Sequence, residues 1–523
     1  MKALQPMTHK SDFSSTNLHN SEKTSNGEGP LPFQPVRLTW DHVREFLFEK
    51  IFITTPSNYY KEHPKWPGLV GLELEAIPLD ISEPSPTGTK DHRIVIPNDK
   101  GNIRLAQKEG NLRRVLLGAA QKHAWEPRFE ESTPSESSPL LSLNLGHEDQ
   151  VTFEPGGQLE ISTKPYPCLN QAAERLIHVQ AQLDAALAEQ SLELLHLGIN
   201  PWLSPEEIGL QMLKPRYQAM TRYFGSINEG IGLRMMRQTC TVQVNLDFGP
   251  DEATLAKRLL AAQFIAPFAT SIFAYSPYVD GKKTSFKSMR AEIWQRIDPS
   301  RTGFLPTDKI LQALNREACV GEFEHFLANS QVVFIPALQY EVPRKPLKFA
   351  DWLGQGYKGI FPTLDDLKVC LSLLFPEVRT RGFIELRSID CQARIWQFVP
   401  AAFYCGLLYD SENLDLILEE LAALSARDSN LQNFWSNSRF GLQDPFNAKM
   451  ADKLMGMSLS GISRLPKCFR SERLRKDLQT YYGYFTQRAR TPADDLLDIC
   501  QQRGQATPRL GDIRALEARW TEI

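Results

Sequence analysis

Phe153-Glu154-Pro155-Gly156-Gly157-Gln158-Leu159-Glu160-Ile161-Ser162 is the stretch on which the fold turns. A Pro-Gly-Gly turn runs into a strand where Gln158, Glu160 and Ser162 alternate with Leu159 and Ile161. Successive strand side chains point to opposite faces, so one face is apolar and the other carries an amide, a carboxylate and a hydroxyl. A solvated strand face would read the same, but three more segments repeat the pattern. Gly71-Leu72-Glu73-Leu74-Glu75-Ala76 puts Glu73 and Glu75 together, and Thr241 to Asp247 sets Gln243, Asn245 and Asp247 opposite aliphatic residues. Phe383-Ile384-Glu385-Leu386-Arg387 puts Glu385 beside Arg387. Four strands with acids and amides on one side predict a sheet wrapped around divalent cations. Hard cations such as Mg²⁺ take oxygen ligands and share them with substrate phosphates.

The chain has 523 residues, 42% hydrophobic and 23% charged, with a formal charge of −3. That balance gives no reason to expect a nucleic acid or an anionic membrane as partner. No apolar run approaches the roughly 20 residues that cross a bilayer. Residues 1–34 read as a disordered tail. Its first thirty residues are Ser- and Asn-rich, lack Arg and carry Asp12, Glu22 and Glu28, which fits neither a secretory signal nor a transit peptide. The eight cysteines contain no Cys-x-x-Cys pair and suit neither zinc nor a small disulfide scaffold. Cys240 and Cys405 are expected buried and reduced, and the protein cytoplasmic.

Helices are predicted over Trp40 to Phe52, Leu112 to His123, Cys168 to Gln190, and from near Asp251 through Leu255, Leu259 and Ile265, with a kink at Pro267. Pro- and Ser-containing loops are expected at about 81–90 and 132–139. Thr491-Pro492-Ala493-Asp494 is a helix start, with an N-cap, Pro at the first position and an acid in the first turn. Helices and strands follow no βαβ rhythm, which predicts α+β with an antiparallel sheet. Residues 35–523 are read as one catalytic domain, mainly helical from about 411. The segment Ser276 to Ser288, with Gly281 and two lysines ahead of Arg290, is expected to be a mobile loop that closes over substrates.

Paired carboxylates on one face repel unless a metal or a guanidinium lies between them. Together with Arg216, Arg290 and Arg387, they suit Mg-nucleotide chemistry on an anionic acceptor. The chain lacks a Gly-x-x-x-x-Gly-Lys-Ser/Thr loop, a His-Glu-x-x-His helix and a Gly-x-Ser-x-Gly elbow. Asp298 opens a sequence like a calcium loop, but Lys309 stands where a bidentate Glu is needed. A turn is expected there instead.

With these residues in view, the chain resembles the glutamate–cysteine ligases of plants and many bacteria. The resemblance runs from about Trp66 to Asp410 and is weaker beyond. It rests on Gly71 to Glu75, Glu154 to Glu160, Gly198 to Trp202, Lys214 to Tyr217, Thr239 to Asp247, Ser288 to Arg290, Phe375 to Arg379 and Glu385 to Arg387. It implies a glutamine-synthetase-like sheet forming a funnel for two or more Mg²⁺ ions, ATP and glutamate. It also implies ligation of glutamate to cysteine through a γ-acyl phosphate, the first step of glutathione-type thiol synthesis. Glu73, Glu75, Glu160 and Glu385 resemble the metal ligands. Arg290 resembles the residue that grips the glutamate α-carboxylate, and Arg387 and Arg216 resemble those that steady the phosphoryl group. Gln243, Asn245 and Tyr217 are assigned to substrate or nucleotide. Gln243 stands where a distant branch has a metal-contacting His.

Two features depart from the pattern. Gln238 occupies the family's Arg position, with Arg237 one residue earlier; on a strand that offset would turn the charge to the opposite face. The regulatory cysteine pairs of the plant branch are not recognisable, so thiol control is not carried over. A γ-glutamyl ligase for another amine and a catalytically silent paralogue are the competing readings. The expected assembly is a monomer or a homodimer.

Overall fold

The computed structural model describes residues 37–63, 65–81, 93–94, 112–130, 138–425 and 431–523. In it, all four alternating segments join one sheet. The strands are β1 (Val70–Asp80), β2 (Arg93–Ile94), β3 (Glu126–Phe129), β4 (Leu140–Asn144), β5 (Gln150–Phe153), β6 (Leu159–Ser162), β7 (Leu192–Leu195), β8 (Val242–Leu246), β9 (Tyr278–Val279), β10 (Lys282–Lys283), β11 (Val378–Thr380) and β12 (Ile384–Leu386). The main ladder runs β11-β12-β8-β1-β6-β5-β4-β3, antiparallel throughout. β1 is the long axis. Its first half lies between β8 and β6, and its second half pairs with β7 and β2. The chain is therefore α+β with an antiparallel sheet, as the irregular order of elements predicts.

Register decides which side chains share a face. Glu75 lies opposite Glu160, and Glu73 lies between Ser162 and Gln243. Asn245 lies opposite Glu385, which lies opposite Arg379. The alternate residues Leu72, Leu74, Leu159, Ile161, Val242, Val244, Leu246, Ile384 and Leu386 are buried in one apolar core. That core also takes in the helices that back the sheet, among them Glu252–Ile272 and Val399–Leu408.

The predicted helices form close to their expected limits: Trp40–Phe46 followed by a wider turn to Ile51, Leu112–His123, Leu169–Ala188, and Glu252–Ile272 capped by Asp251. Helix Pro492–Gln502 starts as its sequence demands, the Asp494 carboxylate accepting from the Thr491 N–H and hydroxyl at 2.9 and 2.8 Å. From Ser411 onward the described residues are helices and short turns. The tail expected over 1–34 lies outside the described residues, as do most of the loops expected at 81–90 and 132–139. Among the described residues, no helix is long and apolar enough to cross a membrane.

The structure adds one cross-link that the sequence reading did not address and gives the Ser276 to Ser288 segment a definite form. Cys168 and Cys468, 300 residues apart, form a disulfide between the start of helix Leu169–Ala188 and a turn of the C-terminal region. Sequence spacing cannot reveal a pair so distant. Cys240 and Cys405 are buried free thiols, as expected.

The segment Ser276 to Ser288 is a hairpin, β9 and β10 joined through Asp280 and Gly281, both at positive φ as a tight hairpin turn requires. Arg234 grips Asp280 through both its terminal nitrogens (2.9 and 2.6 Å), and the Gly281 N–H reaches the Pro201 carbonyl (2.8 Å). Lys287 pairs with Asp494 at 2.5 Å. So many attachments remove the ground for a freely moving lid.

Candidate active site

The Pro-Gly-Gly turn brings Glu154 to the strand face. Glu154 and Gln158 close the turn through a 2.9 Å backbone hydrogen bond, and Gly157 has φ +87°. A Cβ at Gly156 would come within 2.4 Å of the Arg237 carbonyl, so only glycine lets the turn seat against helix Gly232–Arg237. As a result Glu154, Glu75 and Glu160 offer carboxylate oxygens that all lie within 4.8 Å of one another. In the sequence Glu154 stands out only as part of a motif. It sits in the turn, where strand alternation says nothing about direction.

Neighbouring groups orient each acid. Thr152 and Ser162 hydroxyls donate to the same Glu160 oxygen at 2.8 and 2.9 Å. The Thr241 N–H donates to Glu75 at 2.9 Å, and the Gln243 amide lies 3.4 Å from its other oxygen. Asn245 donates to Glu73 at 2.8 Å. Burial, and then the neighbouring carboxylates, raise Glu73, Glu75 and Glu160 above the ordinary range. Glu73 is pushed up to about 7, and Glu75 also rises well above its usual value. Burial raises Glu154 as well, although Arg387, Arg379 and Arg216 pull against it.

Glu385 differs from the other three predicted ligands. It is fully buried, and Arg379, Arg381 and Arg387 surround its carboxylate, the last two at 3.3 and 3.2 Å. Burial pushes its carboxyl up, but the three guanidiniums outweigh that and hold it well below the usual range. The four acids expected as equivalent ligands therefore divide. Glu75 and Glu160 join Glu154, Glu73 stands beside them, and Glu385 is an ion-paired node outside the cluster.

The cations line the same side. Arg387 donates to Gln243 at 2.9 Å, which fixes that amide between Arg387 and Glu75. Arg290 donates to the Arg387 carbonyl at 2.9 Å, and both guanidiniums lie 5.4 Å from the Trp294 ring centre. Arg216 and Tyr217 open helix Pro215–Ser226, with Arg216 reaching Ser372 at 3.3 Å. Lys214 joins them: burial, then Arg216, lowers its pKa, while Glu154 works against both. Burial and Glu154 push Tyr217 up to about 12.

Asp390 was not anticipated. Its buried carboxylate receives the Tyr275 N–H (2.8 Å) and the Ser276 and Ser288 hydroxyls (2.7 and 2.9 Å). Ser276 in turn accepts the Arg290 N–H, and Ser288 caps the helix Met289–Arg296 that carries Arg290. Asp390 thus fixes the backbone from which Arg290 projects. Gln238 is also explained. It ends helix Gly232–Arg237, where a one-residue offset rotates a side chain by about 100° rather than reversing its face. Its amide donates to the Leu203 carbonyl and to Asp280, and Arg237 donates to the Pro205 carbonyl.

Clustered acids, flanked by guanidiniums on an antiparallel sheet, suit an enzyme of the ligase class. The chain matches the model of Glutamate-cysteine ligase family 2 (GCS2) over residues 105–515, and it belongs to that family. The chloroplastic glutamate–cysteine ligase of Medicago truncatula is 30% identical over 375 residues, covering 70% of each chain. That of Arabidopsis thaliana is 31% identical over 355 residues, covering 63% of this chain and 62% of its own. Among solved structures, a Francisella tularensis glutamate–cysteine ligase in complex with AMP aligns over 84% of this chain and 86% of its own. Its identity is 12% and its TM-score 0.42. The expected cytoplasmic location is overturned by these relatives, whose names place them in the chloroplast.

Proposed function

We propose that this protein joins the γ-carboxylate of L-glutamate to the amine of L-cysteine at the expense of ATP, giving γ-glutamylcysteine, ADP and phosphate. The observation that carries this reading is the convergence of Glu75, Glu154 and Glu160 on the sheet face that also bears Arg290 and Arg387. Three oxygen donors, raised by burial and mutual repulsion and oriented by Thr152, Ser162 and Thr241, match the needs of a hard divalent cation. Glu75, Glu154 and Glu160 would hold it, with Glu73 alongside. A bound Mg²⁺ supplies neutralisation of phosphate charge.

The remaining chemistry belongs to the chain's own residues. Arg387, tied to Gln243 and Glu385, and Arg216, opening its helix, present guanidiniums to the transferring phosphoryl group. Arg290 holds the α-carboxylate, leaving the γ-carboxylate directed toward the acids. A γ-carboxylate oxygen attacks the terminal phosphorus and ADP leaves. The amine nitrogen of cysteine then attacks the acyl carbon, the C–O bond to phosphate breaks, and the nitrogen loses a proton. Holding both partners in place converts the second attack into a near-unimolecular step.

The test is ADP release by the purified protein with glutamate, Mg²⁺ and a panel of amino-acid acceptors. Turnover that requires glutamate and is fastest with cysteine is the expected result. Faster turnover with another amine would move the assignment to that γ-glutamyl ligase. ATP binding without turnover on any acceptor would leave a silent paralogue.

A further inference from the structure

A cavity of about 470 Å³ lies outside the site described above, between the turn 299–306 and the helices Arg316–Asn329 and Leu431–Ser438. Small-molecule sites have volumes of about 300–1,000 Å³. None of the carboxylates or guanidiniums assigned to the reaction lines this one. Its walls are rings: Phe304, Phe326 and Trp435, with Phe304 set edge-on to Trp435 at a centroid separation of 5.6 Å. Pro299 and Pro306 add apolar surface. The side-chain amides of Gln295, Asn329 and Gln432 and the Ser300 hydroxyl supply both donors and acceptors. Among the described residues that line it, none is Lys, Arg, Asp or Glu, and the one ionisable side chain is His325, which is exposed.

Three of the lining residues also bond across the wall toward Arg290 and Arg387. The Gly303 carbonyl accepts the Glu377 N–H at 3.2 Å, and the Trp435 side chain donates to the Glu377 carboxylate. The Glu377 carbonyl in turn accepts the Arg387 N–H, also at 3.2 Å. Gln295 lies on the helix Met289–Arg296 that carries Arg290, and its amide donates to the Trp435 carbonyl at 2.6 Å. A ligand that shifts Trp435 or the turn at Gly303 therefore pulls on the segments that hold both arginines. The walls also limit what that ligand can be. A charged compound would lose its hydration here with no opposite charge to meet it. A flat ring matches walls made of rings, and polar atoms on its edge match the amides. We propose that this cavity binds an uncharged heteroaromatic compound, and that its occupancy alters the affinity for the donor amino acid through Trp435 and Glu377. The binding site stands apart from the ligase reading; its effect on glutamate rests on that reading.

The probes are nicotinamide, adenosine and uridine, each paired with a charged counterpart: nicotinate, AMP and UMP. Calorimetric binding to the full-length protein is measured with the active site filled by Mg²⁺, a non-hydrolysable ATP analogue and glutamate, and again without glutamate. The expected result is binding of at least one neutral probe, on the order of tenfold tighter than its charged counterpart. Gln432→Trp places a large ring in the cavity from an exposed position and should weaken that probe by a similar factor. Glutamate should change the probe's affinity by about fivefold or more, and the probe should change glutamate's by the same factor, because coupling is reciprocal. Trp435→Phe keeps a ring but drops the bond to Glu377, so the probe should still bind while the coupling falls. No binding of any neutral probe at concentrations on the order of 10 mM, where even a weakly held fragment registers, overturns the site. Equal binding of the charged counterparts, or indifference to Gln432→Trp, overturns it too. Should that variant fail to fold, Ser300→Tyr fills the cavity from the turn, and the same outcomes apply. Probe affinity that is identical with and without glutamate overturns the coupling. Failure of the wild-type protein to bind glutamate sinks the ligase reading, while the comparison of neutral with charged probes still decides the cavity.

Discussion

Glu154→Gln is expected to make the metal-free protein more stable and the enzyme far slower. Three carboxylate oxygens within 4.8 Å of one another repel; at an effective dielectric near 20, two full unit charges 4.8 Å apart cost ~3.5 kcal/mol per pair, and more when closer. Glu154 takes part in two such pairs, but Arg387, Arg379 and Arg216 offset part of the cost, and protonation relieves more. A net gain of about 1–2 kcal/mol on removing the charge is a reasonable scale, enough to raise Tm by a few degrees in EDTA. The amide preserves the shape of the turn, because the backbone bonds of Glu154 with Gln158 and Gly157 remain. Loss of one oxygen anion should lower turnover on the order of 100-fold or more. The assays are thermal unfolding in EDTA and in excess Mg²⁺, and ADP release with glutamate and cysteine. Mg²⁺ should stabilise the wild type more than the variant, since only binding to the folded state raises stability. A lower Tm in EDTA, or turnover within tenfold of wild type, would falsify the reasoning, because Glu154 would then be a structural anchor.

Glu385→Gln should abolish activity and also destabilise the fold by about 3–5 kcal/mol, because buried Arg379 and Arg387 lose their counter-ion; denaturant unfolding checks this, and an unchanged midpoint refutes it. Arg290→Lys should raise KM for glutamate at least tenfold and spare KM for ATP, since an ammonium cannot reproduce a guanidinium fork; a defect confined to ATP would remove the α-carboxylate role. Asp390→Asn should copy the glutamate-selective defect from a distance by loosening Ser276 and Ser288, and a balanced loss in both substrates' KM would mark it as purely structural. In EDTA, stability should fall between pH 4.5 and 7. Glu73, raised by burial to about 7 from an ordinary 4.5, binds its proton more tightly folded than unfolded, so the favourable contribution is full below 4.5 and lost by about 7. That displacement corresponds to ~3 kcal/mol, and Glu73→Gln should flatten this part of the pH profile of Tm.

Local pattern carried much of this protein. Alternation in β1, β6, β8 and β12 is dictated by the pleat, so Glu73, Glu75, Glu160, Gln243, Asn245 and Glu385 could be assigned to one face from sequence alone. The helix start at Thr491 was legible as well, since backbone groups at a helix start need partners a few residues away. The family was legible in the order of its motifs. Alternation, however, encodes a direction and not a distance or a partner. Glu154 lies in a turn beyond the reach of period-two reasoning, and only the seat of Gly156 against Arg237 delivers it to the acids. Glu385 shares their face, yet the β11–β12 pairing surrounds it with arginines. Asp390 beneath Ser276 and Ser288, and the bond between Cys168 and Cys468, join segments about a hundred or more residues apart. The packed chain alone decides such contacts, because burial, repulsion and hydrogen bonding act between neighbours in space.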